Sequence, residues 1–289
     1  MAYNGNPGDF EMFFSGDTVT WQHGYIASSP SWNLDDNVRD PSIAKIGSKY
    51  FLGFTCGAIV GSSDPWCFSS STDLLAWTPG IAIPITGAPY IKGMAPEWVK
   101  NSDNSTYLDG MGCPHIVFVN WSGGWDFSIF EQHPANNCSD PSTVGTVWSM
   151  PVAITQTDTY MLDPFCVFDG MSFNLWYVAI APGTNQSLQY ATSSTLTGAY
   201  IKQSSGVNWA GFQNGGQINQ EGPALLCLTY STSCTHWRIF FDQIGNPPGD
   251  LVNGQLFYSD STNGFAGPWS APTNIMTPTP AKHGTVIVF

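Results

Sequence analysis

The feature that most constrains this chain is a short acidic or histidine-bearing motif that recurs five times along its 289 residues. The motifs are Arg39-Asp40-Pro41-Ser42, Met94-Ala95-Pro96-Glu97, Leu162-Asp163-Pro164-Phe165, Glu221-Gly222-Pro223 and Lys282-His283-Gly284-Thr285. After each of the first four, the hydrophobic pattern takes the period of a half-buried strand. Examples are Ser42–Ile46 followed by Tyr50–Thr55, and Phe165–Phe168 followed by Phe173–Ala179. Ser/Thr-rich turns that end in an aromatic residue, at Trp77, Tyr200 and Trp269, punctuate the units at similar places.

Self-similarity on this scale marks radial repeat architectures, in which each unit is one small sheet that buries its faces against its neighbours. The fifth unit holds a single expected strand, Thr285–Phe289, and the N-terminal runs Glu11–Gly16 and Gly24–Trp32 have the pattern of the strands it lacks. The expected fold is therefore an all-β, five-bladed β-propeller whose N- and C-terminal segments share the closing blade, which leaves no open sheet edge around the ring. Length alone fits one large all-β domain or two ordinary ones. The repeat favours a single catalytic domain over 1–289. The 30 Gly and 21 Pro, spread along the chain, fit many short strands joined by tight turns.

Charge narrows the partners. With 8 Lys plus Arg against 21 Asp plus Glu, the formal net charge is -13, so neither nucleic acid nor an anionic membrane is an expected partner. A surface of Ser, Thr, Asn, Gln and Gly suits a neutral ligand such as a polysaccharide or oligosaccharide, although an acidic surface without a ligand accounts for it equally. A monomer is expected. Seven cysteines suggest the local pairs Cys56 with Cys67, Cys113 with Cys138 and Cys227 with Cys234, each flanking a polar loop, with Cys166 left over. Six cysteines allow 15 connectivities. None has the CxxC spacing of a zinc site. Disulfides imply a secreted, extracellular protein whose signal segment this sequence does not carry.

In a propeller, residues at the starts of the innermost strands gather at the mouth of the central channel. The five motifs bring Asp40, Glu97, Asp163, Glu221 and His283 to that place in a chain that is only 10% charged. Crowded, desolvated carboxylates raise at least one carboxyl pKa and tend to be functional. Glycoside hydrolysis needs this chemistry: one carboxylic acid protonates the leaving oxygen while a second carboxylate activates water or attacks the anomeric carbon. Each residue also has a plainer reading, since Asp before Pro initiates turns, Glu221 could be an edge charge and His283 a satisfied core histidine. Most of the 12 tryptophans are expected in the core, with Trp98, Trp121, Trp125 and Trp209 the candidates for stacking on sugar.

Taken in order, the five motifs, together with Asp169-Gly170, resemble the successive blade motifs of family 43 glycoside hydrolases, from about residue 37 onward. The resemblance implies an inverting hydrolase of the arabinofuranosidase, xylosidase or arabinanase group, acting on arabinose- or xylose-containing polysaccharides. It assigns Asp40 as general base, Glu221 as general acid and Asp163 as the carboxylate that orients the acid and tunes its pKa. Glu97, Met94 and Phe165 are then substrate-binding residues. No cofactor is required, and His283 marks the place where some relatives hold a calcium ion or an ordered water. Two departures bear on substrate rather than mechanism: the second motif begins with Met94 instead of Trp, and the fifth-blade arginine of many relatives has no counterpart. The alternative is a carbohydrate-binding or structural propeller that has lost catalysis, since fold does not fix function. A glycosyltransferring or phosphorolytic propeller is a third.

Overall fold

The computed structural model describes residues 2–3, 9–28, 38–56, 66–83, 85, 92–123, 126–155, 158, 160–180, 187–203, 219–244, 255–275 and 282–288. Among them there is no helix, and the strands form five sheets. In chain order, β1 (Ala2–Tyr3), β2 (Asp9–Phe14) and β3 (Gln22–Ser28) belong to one sheet. β4 (Arg39–Ile46), β5 (Lys49–Thr55), β6 (Trp66–Ser71) and β7 (Ile81–Ile83) make the next. The third contains β8 (Lys92–Trp98), β10 (Ile116–Gly123), β11 (Asp126–Gln132) and β12 (Val152–Ala153), while β9 (Lys100–Asn101) crosses to the fourth. There it runs parallel to β13 (Met161–Phe168), which is followed by β14 (Phe173–Ala179), β15 (Ser187–Ser193) and β16 (Ile201–Lys202). The fifth holds β17 (Asn219–Tyr230), β18 (Cys234–Ile244), β19 (Gln255–Ser261) and β20 (Thr273–Asn274). The last strand, β21 (Lys282–Gly284), returns to the first sheet and pairs antiparallel with β1.

The arrangement is a β-propeller. The innermost strands touch in a closed circuit, β4 to β8, β8 to β13, β13 to β17, β17 to β21 and β21 to β4. Apolar side chains fill each seam between neighbouring sheets. Ala44, Phe51 and Trp66 meet Trp98, Ile116 and Phe118, for example, and Val117 and Ile129 meet Leu175 and Tyr177. Trp176, Trp237 and Trp269 fill the seam between the fourth and fifth sheets, and Phe13, Trp21 and Leu256 join the fifth to the first. Because every sheet buries both faces, its strands are apolar on both sides. This explains why Phe51–Phe54 and Leu175–Val178 read as near-continuous hydrophobic runs rather than a strict alternation.

The recurring motifs lie inside the innermost strands, not before them. Arg39–Ile46 and Met161–Phe168 begin three or four residues earlier than the hydrophobic pattern suggests, and the strand expected at Thr285–Phe289 lies instead at Lys282–Gly284. The reason is a β-bulge at the same place in all five. The ladder slips between Arg39 and Ser42, between Leu162 and Phe165, between Glu221 and Ala224, opposite Met94 to Glu97, and around His283. In four of the five the next residue is proline, which has no N–H to give the ladder, and the residue ahead of it adopts a left-handed backbone, which re-aims the strand; in the fifth His283 adopts it ahead of Gly284. The part of the N-terminal run that includes Trp32 lies outside the described residues.

Disulfides join Cys56 to Cys67, Cys113 to Cys138 and Cys227 to Cys234, and Cys166 is a buried free thiol. The dependence of the ring on its seams can be tested at Trp98, which is fully buried between the second and third sheets. Trp98→Ala is expected to cost about 3–5 kcal/mol in urea denaturation.

Candidate active site

The bulge residues are Asp40, Ala95, Asp163, Gly222 and His283, with φ of 54°, 45°, 46°, 59° and 35°. Left-handed φ is costly for residues other than glycine, with Asp and His among the more tolerant. A cavity of about 260 Å³ opens above them. It is lined by Arg39, Asp40, Met94, Ala95, Leu162, Asp163, Glu221 and His283, with Val119, Trp121 and Phe127 as one wall. The lining thus follows a rule of position: in three strands both the bulge residue and the residue before it line the cavity, in the fourth the preceding residue, Glu221, and in the fifth the bulge residue, His283. A larger cavity of about 820 Å³ lies beside Phe13, Trp21, Leu226 and Val286, where the one carboxylate among the described lining residues, Asp17, accepts hydrogen bonds from the Val19 and Thr20 N–H groups of its own loop.

The same rule corrects two expected substrate contacts. Two residues beyond the bulge, Ser42, Glu97, Phe165, Ala224 and Thr285 form a buried layer beneath the cavity. Phe165 is 1% exposed, in the core between the fourth and fifth sheets. Glu97 is likewise buried and is not among the residues that line the cavity. Burial pushes its carboxyl up to about 7, eased by Lys100, whose own ammonium burial draws down to about 8 despite Glu97. Met94, in contrast, does line the cavity, and its sulfur lies 3.5 Å from Arg39 Nη2.

Four of the expected residues converge: Asp40, Asp163, Glu221 and His283. His283 Nδ1 stands 3.4 Å from Asp40 Oδ1 and 3.8 Å from Asp163 Oδ2. Asp40 Oδ2 accepts a 2.6 Å hydrogen bond from Thr55 Oγ1 and lies 3.7 Å from Arg39 Nε. Thr55 Oγ1 in turn accepts from Ala95 N at 2.8 Å, tying the second sheet to the third directly under the site. Asp163 Oδ2 accepts from Gly222 N at 3.1 Å, so the backbone beside Glu221 is anchored by Asp163.

These contacts set opposite protonation states. Burial alone would raise the Asp40 carboxyl, but His283, Arg39 and the Thr55 hydroxyl outweigh it and hold Asp40 below its ordinary range. For Glu221 burial is joined by the negative charges of Asp163 and Asp242, and its carboxyl is pushed up to about 8. Asp163 is raised by burial and by Asp40, against the pull of His283. Burial would favour a neutral His283, yet Asp40, Asp163, Asp242 and Glu221 together lift it to about 9. At neutral pH the site therefore combines an ionised Asp40, a protonated Glu221 and an imidazolium.

Sequence reasoning missed Arg39, Thr55, Asp242, Leu162 and Phe127. Arg39 and Leu162 were legible in principle, since each precedes its bulge as Glu221 does. Asp242 lies opposite Glu221 in the β17–β18 register and is buried. Of the tryptophans considered for stacking, Trp121 lines the cavity, with its ring stacked on Phe127 at 6.2 Å between centroids and 17° between planes. Trp98 is core, and Trp125 and Trp209 lie outside the described residues.

No family model and no curated protein matches the sequence. Solved structures do match in fold. A thermostable family-43 glycoside hydrolase superposes with a TM-score of 0.66 at 16% identity, over 95% of this chain and 89% of that one. An endo-1,4-beta-xylanase from Bacteroides thetaiotaomicron gives 0.66 at 16%, over 99% and 91%. An alpha-L-arabinofuranosidase from Lactobacillus brevis gives 0.55 at 16%, over 83% and 72%. The resemblance carried by the five motifs thus extends to the whole propeller.

Gly222 is held at positive φ, and a Cβ there would lie 2.7 Å from Asp242 Oδ1 and 3.1 Å from His283 Cγ. Gly222→Ala is expected to destabilise the protein by at least about 1–2 kcal/mol in urea denaturation, the cost of a left-handed non-glycine residue.

Proposed function

We propose that this protein is an inverting glycoside hydrolase acting on arabinose- or xylose-containing polysaccharides or oligosaccharides, built as a single five-bladed domain. The observation that carries the reading is two carboxyls lining one cavity in opposite settings, Asp40 beside His283, Arg39 and the Thr55 hydroxyl and Glu221 beside Asp163 and Asp242, which favour an ionised Asp40 and a protonated Glu221. A structural or purely binding propeller gains nothing from that separation.

In the proposed reaction Asp40 takes a proton from water as its oxygen attacks the anomeric carbon. Glu221 gives its proton to the departing glycosidic oxygen as the bond to that carbon breaks. Asp163 is a positioning residue: it anchors the Gly222 backbone next to the acid, and its charge keeps the Glu221 proton in place. Met94 and the Trp121–Phe127 wall offer apolar surface for a sugar ring. The three disulfides support folding in an oxidising, extracellular compartment.

A calcium ion held by His283 fits the donor set poorly. The Nδ1 atom faces only the carboxylates of Asp40 and Asp163 among the described residues, and calcium takes six to eight oxygens. We read His283 instead as the counter-charge that keeps Asp40 ionised.

Sugar release from arabinan, arabinoxylan, xylan and aryl glycosides tests the reading. Wild type should release sugar and Glu221→Ala should lose nearly all turnover while still binding. Binding without release by wild type would instead favour the non-catalytic alternative. The pH profile of kcat/KM should be a bell whose basic limb falls near 8, set by Glu221. Removing the Asp163 charge removes an influence that raises Glu221, so Asp163→Asn should move the basic limb toward lower pH. His283 lowers both Asp40 and Glu221, so His283→Asn should move both limbs upward.

A further inference from the structure

A second cluster of ionisable side chains lies in the third sheet, outside the cavity. Glu131 and His133 are two residues apart at the end of β11, and period-2 alternation puts them on one face. The last ladder pair of β10 and β11 is Ile116 with Gln132, so His115 and His133 come next, opposite each other. Glu131 Oε1 is 2.7 Å from His115 Nδ1 and 2.8 Å from His133 Nδ1, and one donor atom from each residue lies within 4.8 Å of the others. The imidazole centroids are 4.7 Å apart.

As a hydrogen-bond cluster this arrangement spends two imidazole donors on a single carboxylate oxygen, in a place where Glu131 is 2% exposed. As a ligand set it is two imidazole nitrogens and one carboxylate, the composition of three-ligand zinc sites with one position left for water. Its surroundings have the form that supports such sites. On the far side of the His115 ring, Nε2 lies 3.4 Å from Asp109 Oδ2, the relation of an outer carboxylate that orients a ligating histidine. Asp109 is itself fixed, its Oδ1 accepting 2.8 Å bonds from Met111 N and Cys113 N, and the Cys113–Cys138 disulfide fastens that loop. Ser149 Oγ lies 3.4 Å from His133 Nδ1. The His133 side chain is about a quarter exposed, which leaves a path for an ion.

We propose that His115, Glu131 and His133 bind one zinc-class divalent transition-metal ion through both Nδ1 atoms and the Glu131 carboxylate, with Asp109 orienting His115. A hard oxygen-seeking cation such as calcium is not the fit, since the cluster offers too few oxygens. The site is separate from the cavity: Val119, the first cavity residue of β10, is four residues from His115, about 13 Å along a strand. An ion there would clamp the Asp109–His115 loop to the end of β11, and its role is structural.

The test uses the full chain, freed of metal by chelation and titrated with zinc chloride or calcium chloride by calorimetry, with thermal melts alongside. One equivalent of zinc should bind and raise the melting temperature, calcium should do neither, and His133→Ala and Glu131→Gln should each weaken zinc binding by more than about tenfold. Cobalt(II) added to the wild type should give the intense visible bands of a low-coordinate nitrogen and oxygen site. Absence of zinc binding, zinc binding unchanged in both variants, or only the faint spectrum of hydrated cobalt would each overturn the proposal. The wild-type cobalt spectrum decides even if a variant fails to fold.

Discussion

The left-handed bulge at the same point of five innermost strands is the constraint on which the rest of this protein depends. A regular strand would point alternate residues into the seams between sheets, and the channel mouth would be lined by backbone. The bulge instead turns two consecutive side chains toward the mouth in three of the strands, which is why Arg39 and Asp40, Met94 and Ala95, and Leu162 and Asp163 reach the cavity. Below it the strand returns to ordinary pairing and the next inward residue is sealed in the core. The strain of positive φ at Asp40, Ala95 and Asp163 is offset by the packed seams on either side of each strand.

Electrostatics follows from that geometry. The bulges bring several carboxylates within reach of one another, and a cluster of that kind is tolerated only if some members stay protonated or find positive charge. Both solutions are used. His283 and Arg39 neutralise Asp40, while Glu221, with Asp163 and Asp242 as neighbours, keeps its proton. Which carboxylate ionises and which keeps its proton is thus decided by where the cations sit, not by residue type. Thr55 strengthens the assignment because its hydroxyl has one good acceptor in Asp40 and is itself fixed by the Ala95 N–H.

Much of this was legible in the sequence. The five motifs located the innermost strands, and the local cysteine pairs followed from the loops they flank. Asp40, Asp163, Glu221 and His283 meet as their order suggested. What the sequence hid was backbone geometry. Read as turns ahead of strands, the motifs made Glu97 and Phe165 look equivalent to the cavity residues. A bulge inside the strand shows that they stand two places too far along and face inward. Asp242 was invisible for another reason: its place opposite Glu221 depends on the register of a hairpin, not on any motif. The Glu131-Gln132-His133 triplet carried a readable signal in its spacing, but its partner His115 is brought to it only by strand pairing.

The return of β21 to pair with β1 has a consequence for biosynthesis. Asp40, Asp163 and Glu221 are all translated before His283, so a nascent chain that has not yet reached residue 283 holds these carboxyls with Arg39 but without the imidazole. The same late segment supplies the strand that joins the ends of the circuit. Ring closure and delivery of the imidazole to the cavity are therefore one event, since β21 both completes the circuit and carries His283.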